Sequence, residues 1–198
     1  SKIIKNKKII HTSPIMWGNM TKKIKISNNK KEFVFLHAST FKTLSLRNLI
    51  FENSFEYLNN IKILANIISN IPNSKLIIRA RDFDECSIET INTHLINFDN
   101  IQITKGTTFD EDLTQSDCLI SYSSTTIEEA IFNRIPAAII NFSNLNFMNF
   151  TNKKNEKNNN MKALYFLNLK NCKDKIQFII DNHKNSKLSD ELIKDFFD

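Results

Sequence analysis

A chain of 198 residues, 41% hydrophobic and 24% charged, lies within the ordinary globular range and is long enough to bury a core. Much of its formal charge of +6 sits in a basic lead-in at 1–32, where Lys2, Lys5, Lys7, Lys8, Lys22, Lys23, Lys25, Lys30 and Lys31 cluster, so a basic nucleic-acid-binding domain is not expected. Cys86, Cys118 and Cys172 are odd in number and far apart, which fits neither a disulfide framework nor a zinc site and points to buried free thiols in a reducing compartment.

After the lead-in, the apolar run Phe33 to Leu36 in "EFVFLHAST" reads as a buried strand running into a loop. "SFEYLNNIKILANIISNIP" then places Phe55, Leu58, Ile61, Leu64, Ala65, Ile68 and Ile71 on one helical stripe, stopped by Pro72. The alternation continues through strand "KLIIRAR", helix "ECSIETINTHLINF", strand "IQITK", short helix "FDEDLTQS", strand "DCLISYS", helix "TTIEEAIFN" and strand "PAAIINF". Such alternation predicts right-handed βαβ units and a parallel sheet with helices on both faces, and strands apolar on both sides agree with it. The polar stretch 151–160, "TNKKNEKNNN", reads as a flexible loop, and two helices, roughly Lys173 to His183 and Leu188 to Phe197, are expected to close a domain spanning 33–198.

The most informative stretch is "SYSSTTIEEAIFNRIPAAII", Ser121 to Ile140. In an open parallel α/β sheet, ligands bind beyond the carboxyl ends of the strands, and this stretch lies at such an end, where a helix begins. Glycine occurs only at 18 and 106, so neither a GxGxxG fingerprint nor a Walker A loop exists, and a bound phosphate must rest on hydroxyls and a helix start. Ser124 or Thr125 as N-cap, with Glu128 closing a capping box, explains one hydroxyl and one carboxylate. It leaves the rest of Ser123, Ser124, Thr125 and Thr126, and Glu129, unexplained.

"SDCLISYSSTTIEEAIFNRIPAAII" resembles the donor-binding signature of GT-B glycosyltransferases, an aspartate-led strand, a Ser/Gly/Thr-rich turn, then "EA" and "GxP". The resemblance implies a Rossmann-like α/β domain, one half of a GT-B fold, of a kind found in surface or capsular polysaccharide synthesis. It implies that Asp117 begins the strand, that Ser123, Ser124, Thr125 and Thr126 face the donor diphosphate, that Glu129 holds the ribose and that Pro136 opens the next strand. Where the pattern has glycine this chain has Arg134, so the helix end must be built differently, and Asn133 beside it is a residue that tolerates a left-handed backbone. The stretch is also similar to non-hydrolysing UDP-N-acetylglucosamine 2-epimerases, through "EEA", and to CDP-glycerol transferases, through "YSS". The former normally have paired glycines at Thr125 and Thr126; the latter usually have "HP" where this chain has "RARDFDE". Under the resemblance the lead-in is an interdomain linker, the acceptor half is a missing or separate N-terminal domain, and the nucleotide sugar is a substrate, with no cofactor. A non-catalytic partner subunit is the competing reading.

Other polar residues near strand ends extend the candidate set. Arg79 and Arg81 suit a donor diphosphate, or alternatively salt bridges to Asp82, Asp84 or Glu85. His37 and Ser39, with Thr40, follow the first strand and suit phosphate, although a loop histidine satisfied by backbone is an equal reading. Thr107 and Phe109 follow the third strand, where relatives contact the base, while Phe109 also fits a core or staple position. His11, His94 and His183 lack partners at metal-ligand spacing, so no metal is expected. No run approaches the roughly 18–20 apolar residues of a membrane span. A cytoplasmic protein is expected, with peripheral contact at the inner face of a membrane left open through its lysines.

Overall fold

The alternation resolves into six strands and six helices among the residues that the computed structural model describes, 32–38, 54–80, 86–122, 125–140, 142 and 161–197. In chain order they are β1 (Phe33–His37), α1 (Ser54–Ser69), β2 (Ser74–Arg79), α2 (Ile88–Leu95), β3 (Ile101–Thr104), α3 (Phe109–Thr114), β4 (Cys118–Ser121), α4 (Thr125–Phe132), β5 (Ala137–Ile140), β6 (Leu164–Leu167), α5 (Cys172–His183) and α6 (Asp190–Phe197). The lead-in at 1–31 and the stretch 151–160 lie outside the described residues. Every strand pairing is parallel, in the order β3-β2-β1-β4-β5-β6. The fold is therefore the Rossmann-like α/β sheet expected from the sequence.

Parallel strands with crossover helices bury both faces, and the side-chain alternation divides the core in two. Phe33, Phe35, Leu76, Ile78, Cys118, Ile120, Ala138 and Ile140 face α1, α2 and α5, meeting Leu64, Ile68, Ile91 and Ile176. Leu36, Ile77, Leu119, Ala137 and Ile139 face the other way, against Leu113 of α3, Ile127 and Ile131 of α4, and Leu188 ahead of α6. Each fully buried Leu or Ile contributes about 1.5–3 kcal/mol. That burial offsets the shortness of β4 and β5. All three cysteines are buried free thiols.

Three features differ from the sequence reading. β6 was not expected; its "LYFL" alternates between the two core faces, and it pairs with β5 from Ala137↔Leu164 to Ile140↔Leu167. Helix α6 begins at Asp190 rather than Leu188, because Leu188 is buried ahead of it and its N–H donates to the Arg134 carbonyl at 3.1 Å. Helix α4 starts at Thr125, which leaves Glu128 at its fourth position, one past the place a capping box on residue 124 requires.

The end of α4 is built without a glycine. Arg134, not Asn133, takes the left-handed conformation, with φ of 66°. The Ile135 N–H donates to the Ala130 carbonyl and the Arg134 N–H to the Ile131 carbonyl, both at 2.9 Å, the two bonds of a Schellman motif. The Arg134 guanidinium then reaches the segment before α6, donating to the Leu188 carbonyl at 3.1 Å and pairing with Asp190. That ion pair is exposed and contributes little, so the carbonyl contact and the Leu188 bond are the anchors.

A second polar device ties β6 to α5. The Lys162 N–H donates to the Tyr165 hydroxyl at 3.0 Å, and that hydroxyl lies 2.7 Å from His183 Nε2. Burial pushes Tyr165 up to about 12 and His183 down to about 4. The pair sits at the start of the strands, away from the ligand end.

The left-handed Arg134 leads to a specific expectation. Arg134→Gly and Arg134→Ala both remove the anchors, but only glycine adopts positive φ without cost, so the glycine variant should be the more stable by about 1 kcal/mol. Urea midpoints of the two variants measure this; an alanine variant at least as stable as the glycine one contradicts the assigned backbone.

Candidate functional site

The strand order reverses between β1 and β4: the chain leaves β1 toward β2 and β3, and leaves β4 toward β5 and β6. The carboxyl ends of strands at such a reversal are the usual ligand position in open parallel sheets. The register that builds this edge begins at the opposite end of β4. Asp117 accepts the Val34 N–H on Oδ2 at 2.8 Å, and its own N–H donates to the Val34 carbonyl at 2.7 Å. This two-point clamp sets Phe35 opposite Cys118 and His37 opposite Ile120. Asp117 thus precedes the strand as expected, and its carboxylate is committed to pairing.

At the carboxyl ends, the Ala38 N–H donates to the Ile120 carbonyl at 3.2 Å, and Ser121 Oγ donates to the Ala38 carbonyl at 3.4 Å. His37 is at this edge but fully buried, its ring 6.4 Å from Tyr57 and 6.0 Å, edge-on, from Tyr122. Neither ring nitrogen has a hydrogen-bond partner among the described residues. Burial pushes His37 down to about 4, with the Ile120 backbone offsetting part of the effect. The two tyrosines escaped the sequence reading, because one comes from α1 and the other from beyond β4.

Helix α4 starts three residues past Tyr122, with Thr125 exposed and Thr126 buried at the first turn. The dipole of a helix start favours an anion by about 0.3–1 kcal/mol, up to ~2 when partly buried. Glu129 lies one turn further on and is partly buried. Desolvation, and secondarily the charge of Asp110 on α3, raise its pKa. Among the described residues its carboxylate has no hydrogen-bond or ion-pair partner, and its oxygens keep access to solvent. Asp110 was not singled out from sequence; only the packing of α3 beside α4 brings the two acids within range.

Arg79 and Thr107 meet each other at the ends of β2 and β3. The Arg79 guanidinium donates through Nη1 to Asp112 Oδ2 at 2.8 Å and to the Thr107 carbonyl at 2.7 Å. Its ion-pair partner among the described residues is Asp112, on α3; Asp82, Asp84 and Glu85 lie outside the described residues. Phe109 opens α3 and packs, partly buried, against the second core. Thr108 caps that helix in a full capping box with Glu111. Ser39, Arg81, Ser123 and Ser124 lie outside the described residues. Among the described residues no cluster of three His, Cys, Asp or Glu side chains has metal-site geometry, and no helix is long and apolar enough to cross a membrane.

No protein-family model and no curated protein matches the chain. Solved structures do. A protein of Listeria monocytogenes assigned as a UDP-N-acetylglucosamine 2-epimerase superposes with a TM-score of 0.53 at 11% identity, over 78% of this chain and 38% of that one. The UDP-GlcNAc 2-epimerase of Neisseria meningitidis, bound to UDP-GlcNAc, superposes with a TM-score of 0.51 at 12% identity, over 78% of this chain and 37% of that one. At these identities the likeness is one of fold. The chain spans less than two fifths of the length of either structure.

The buried histidines set a pH dependence. An unfolded histidine takes up a proton near pH 6.5, whereas His37 and His183 stay neutral until about 4. The unfolded state therefore binds more protons between these values, and stability falls as pH is lowered from about 6.5 to 4, by roughly 3 kcal/mol for a fully buried ring. Urea denaturation across that range should show a shallower acid decline for His37→Leu than for the parent chain. Parallel declines contradict the neutral buried assignment.

Proposed function

We propose that the chain is the nucleotide-sugar-binding half of a GT-B-type glycosyltransferase of surface-polysaccharide or glycolipid synthesis. The donor diphosphate rests on Ser123, Ser124, Thr125 and Thr126 at the start of α4, and Glu129 accepts the ribose hydroxyls. The observation that carries this reading is Glu129: a partly buried carboxylate, with raised pKa and no partner among the described residues, one turn into the helix that begins at the reversal. A partly desolvated carboxylate with no donor from the described residues suits a ligand that supplies hydroxyls.

In this arrangement the chain's own groups work by placement and electrostatics. The N–H groups of the α4 start hold the diphosphate, where negative charge grows as the sugar departs, and uncharged hydroxyls add donors around it. The glycosyl acceptor, and any general base acting on it, belong to a second domain. The nucleotide sugar is the substrate, and no cofactor enters. Because a protein of the same fold was solved with UDP-GlcNAc, a UDP-sugar is the first donor to test.

Calorimetric titration of the folded chain with UDP-, CDP- and GDP-sugars should give binding for at least one. Glu129→Gln should weaken it roughly tenfold, the loss expected for one charged hydrogen bond of about 1.5 kcal/mol. Unchanged affinity removes the ribose role, and no heat with any donor supports the non-catalytic partner subunit instead.

The raised pKa of Glu129 adds a second signature. Its carboxylate must be ionised to accept two hydroxyls, so donor affinity should fall on acidification at a higher pH than an ordinary glutamate would give. The sign for stability is opposite. The unfolded glutamate ionises first, so above that point the native state carries a disfavoured charge, and Glu129→Gln should leave Tm unchanged or raise it while binding weakens.

A further inference from the structure

We propose that the amino edge of the sheet, at the corner where β5, β6 and the end of α5 meet, is a docking surface for an anionic lipid membrane. The proposal does not depend on the nucleotide-binding reading above.

Three segments far apart in the chain each bring positive charge to this corner. Arg134 stands between α4 and β5, Lys162 stands just ahead of β6, and Lys184 and Lys187 belong to the connection from α5 to α6. Hydrogen bonds hold the three segments together. The Arg134 carbonyl accepts the Leu188 N–H at 3.1 Å, and the Arg134 guanidinium donates to the Leu188 carbonyl at 3.1 Å, which sets Lys187 beside Arg134. The Lys162 N–H donates to the Tyr165 hydroxyl, itself 2.7 Å from His183 Nε2, which brings the chain at Lys162 to the end of α5, where Lys184 follows.

Like charges gathered in this way repel. Desolvation first, and Arg134 second, lower the pKa of Lys187, so the cluster is held against an electrostatic cost that a facing anionic surface removes. The acids of the neighbouring elements are exposed: Asp190 pairs with Arg134, Glu191 follows it on α6, and Asp181 accepts from Gln177. Exposed pairs contribute little.

The same edge receives most of the remaining positive charge. Phe33 begins β1 at that end of the sheet, and 1–31, just ahead of it, hold nine lysines and no aspartate or glutamate. These lysines are interleaved with isoleucines, in "KIIKNKKII" and "KKIKI", and Trp17 is the chain's single tryptophan. That composition suits a bilayer interface, where apolar side chains enter the headgroup region while ammonium groups meet lipid phosphates. A nucleic-acid backbone has no place for the isoleucines. The ligand edge is different: it carries both signs, with Asp110, Glu111 and Glu129 in the first turns of α3 and α4, and its Arg79 is bonded to Asp112. Docked by the amino edge, the domain keeps the carboxyl ends of its strands toward solvent.

The test is co-sedimentation of the full chain with vesicles of phosphatidylcholine alone, or with about a third of phosphatidylglycerol, at low and high salt. The parent should partition onto the anionic vesicles only and leave them as salt rises. Lys184→Gln/Lys187→Gln should weaken that partition by about twentyfold, from roughly fivefold for each lysine at the surface. Lys170→Gln/Lys173→Gln removes the same charge from the ligand edge, where both lysines are exposed, and should change it by less than about twofold. Equal losses in the two variants mean that net charge alone acts, and overturn the proposal. So does an unweakened Lys184→Gln/Lys187→Gln, or a parent that binds neither vesicle or both alike. Single-stranded RNA bound through Lys184 and Lys187, with vesicles left unbound, makes the corner a nucleic-acid surface instead. Inorganic phosphate that displaces the chain from vesicles better than chloride of equal ionic strength makes it a phosphate site, and overturns the membrane surface as well. If the double variant does not fold, Lys184→Gln alone should weaken partition about fivefold, and no weakening contradicts the surface.

Discussion

The structure depends on one constraint: a sheet with all strands parallel must be covered on both faces, so polar chemistry can only sit at its ends. Two cores, one against α1, α2 and α5 and the other against α3, α4 and α6, cover the sheet on both sides, with Gln102 of the edge strand β3 left exposed. The carboxyl edge collects loop starts and helix N-termini, whose N–H groups are free and whose dipoles favour anions. The reversal of order between β1 and β4 then decides where along that edge a ligand fits. Asp117, at the far end of β4, belongs to this same constraint, since its clamp on Val34 fixes the register that brings Ala38 beside Ser121.

The polar groups at the edge divide by whether they have found partners. Arg79, Asp112, Thr104 and Thr107 are joined in one network, as are Thr108 and Glu111. Glu129 is held partly out of water near Asp110, with its pKa raised as a result. His37 is wholly buried between two tyrosines, with neither nitrogen bonded among the described residues. Leaving a buried polar group without a partner costs about 1–3 kcal/mol, and such a cost at the strand reversal is expected of a site shaped for something other than stability. The Tyr165–His183 pair, also desolvated, lies at the other end of the strands and serves the β6–α5 contact.

Much of the fold was legible because parallel strands are apolar on both sides and stand out from the helical stripes between them. The sixth strand was not, since "LYFL" is only four residues long and follows a polar, repetitive stretch that drew the reading toward loop. The position of the site was legible too, in the concentration of hydroxyls where β4 hands over to α4. Its internal contacts were not. Arg79 finds Asp112 33 residues away, across a helix, when three acids stood within six residues of it in sequence. At the end of α4, the left-handed residue is Arg134 and not Asn133. Its Schellman bonds and its reach to Leu188 exist only once the C-terminal segment has folded back.

The central claim is that the donor sits at the reversal point, on the start of α4 and against Glu129. Amide chemical-shift mapping of the labelled chain during titration with a UDP-sugar tests it most directly. The account predicts that the largest shifts fall on Ala38, Tyr122, Thr125, Thr126 and Glu129. Saturable shifts confined to other surfaces, with these amides unmoved, would contradict it.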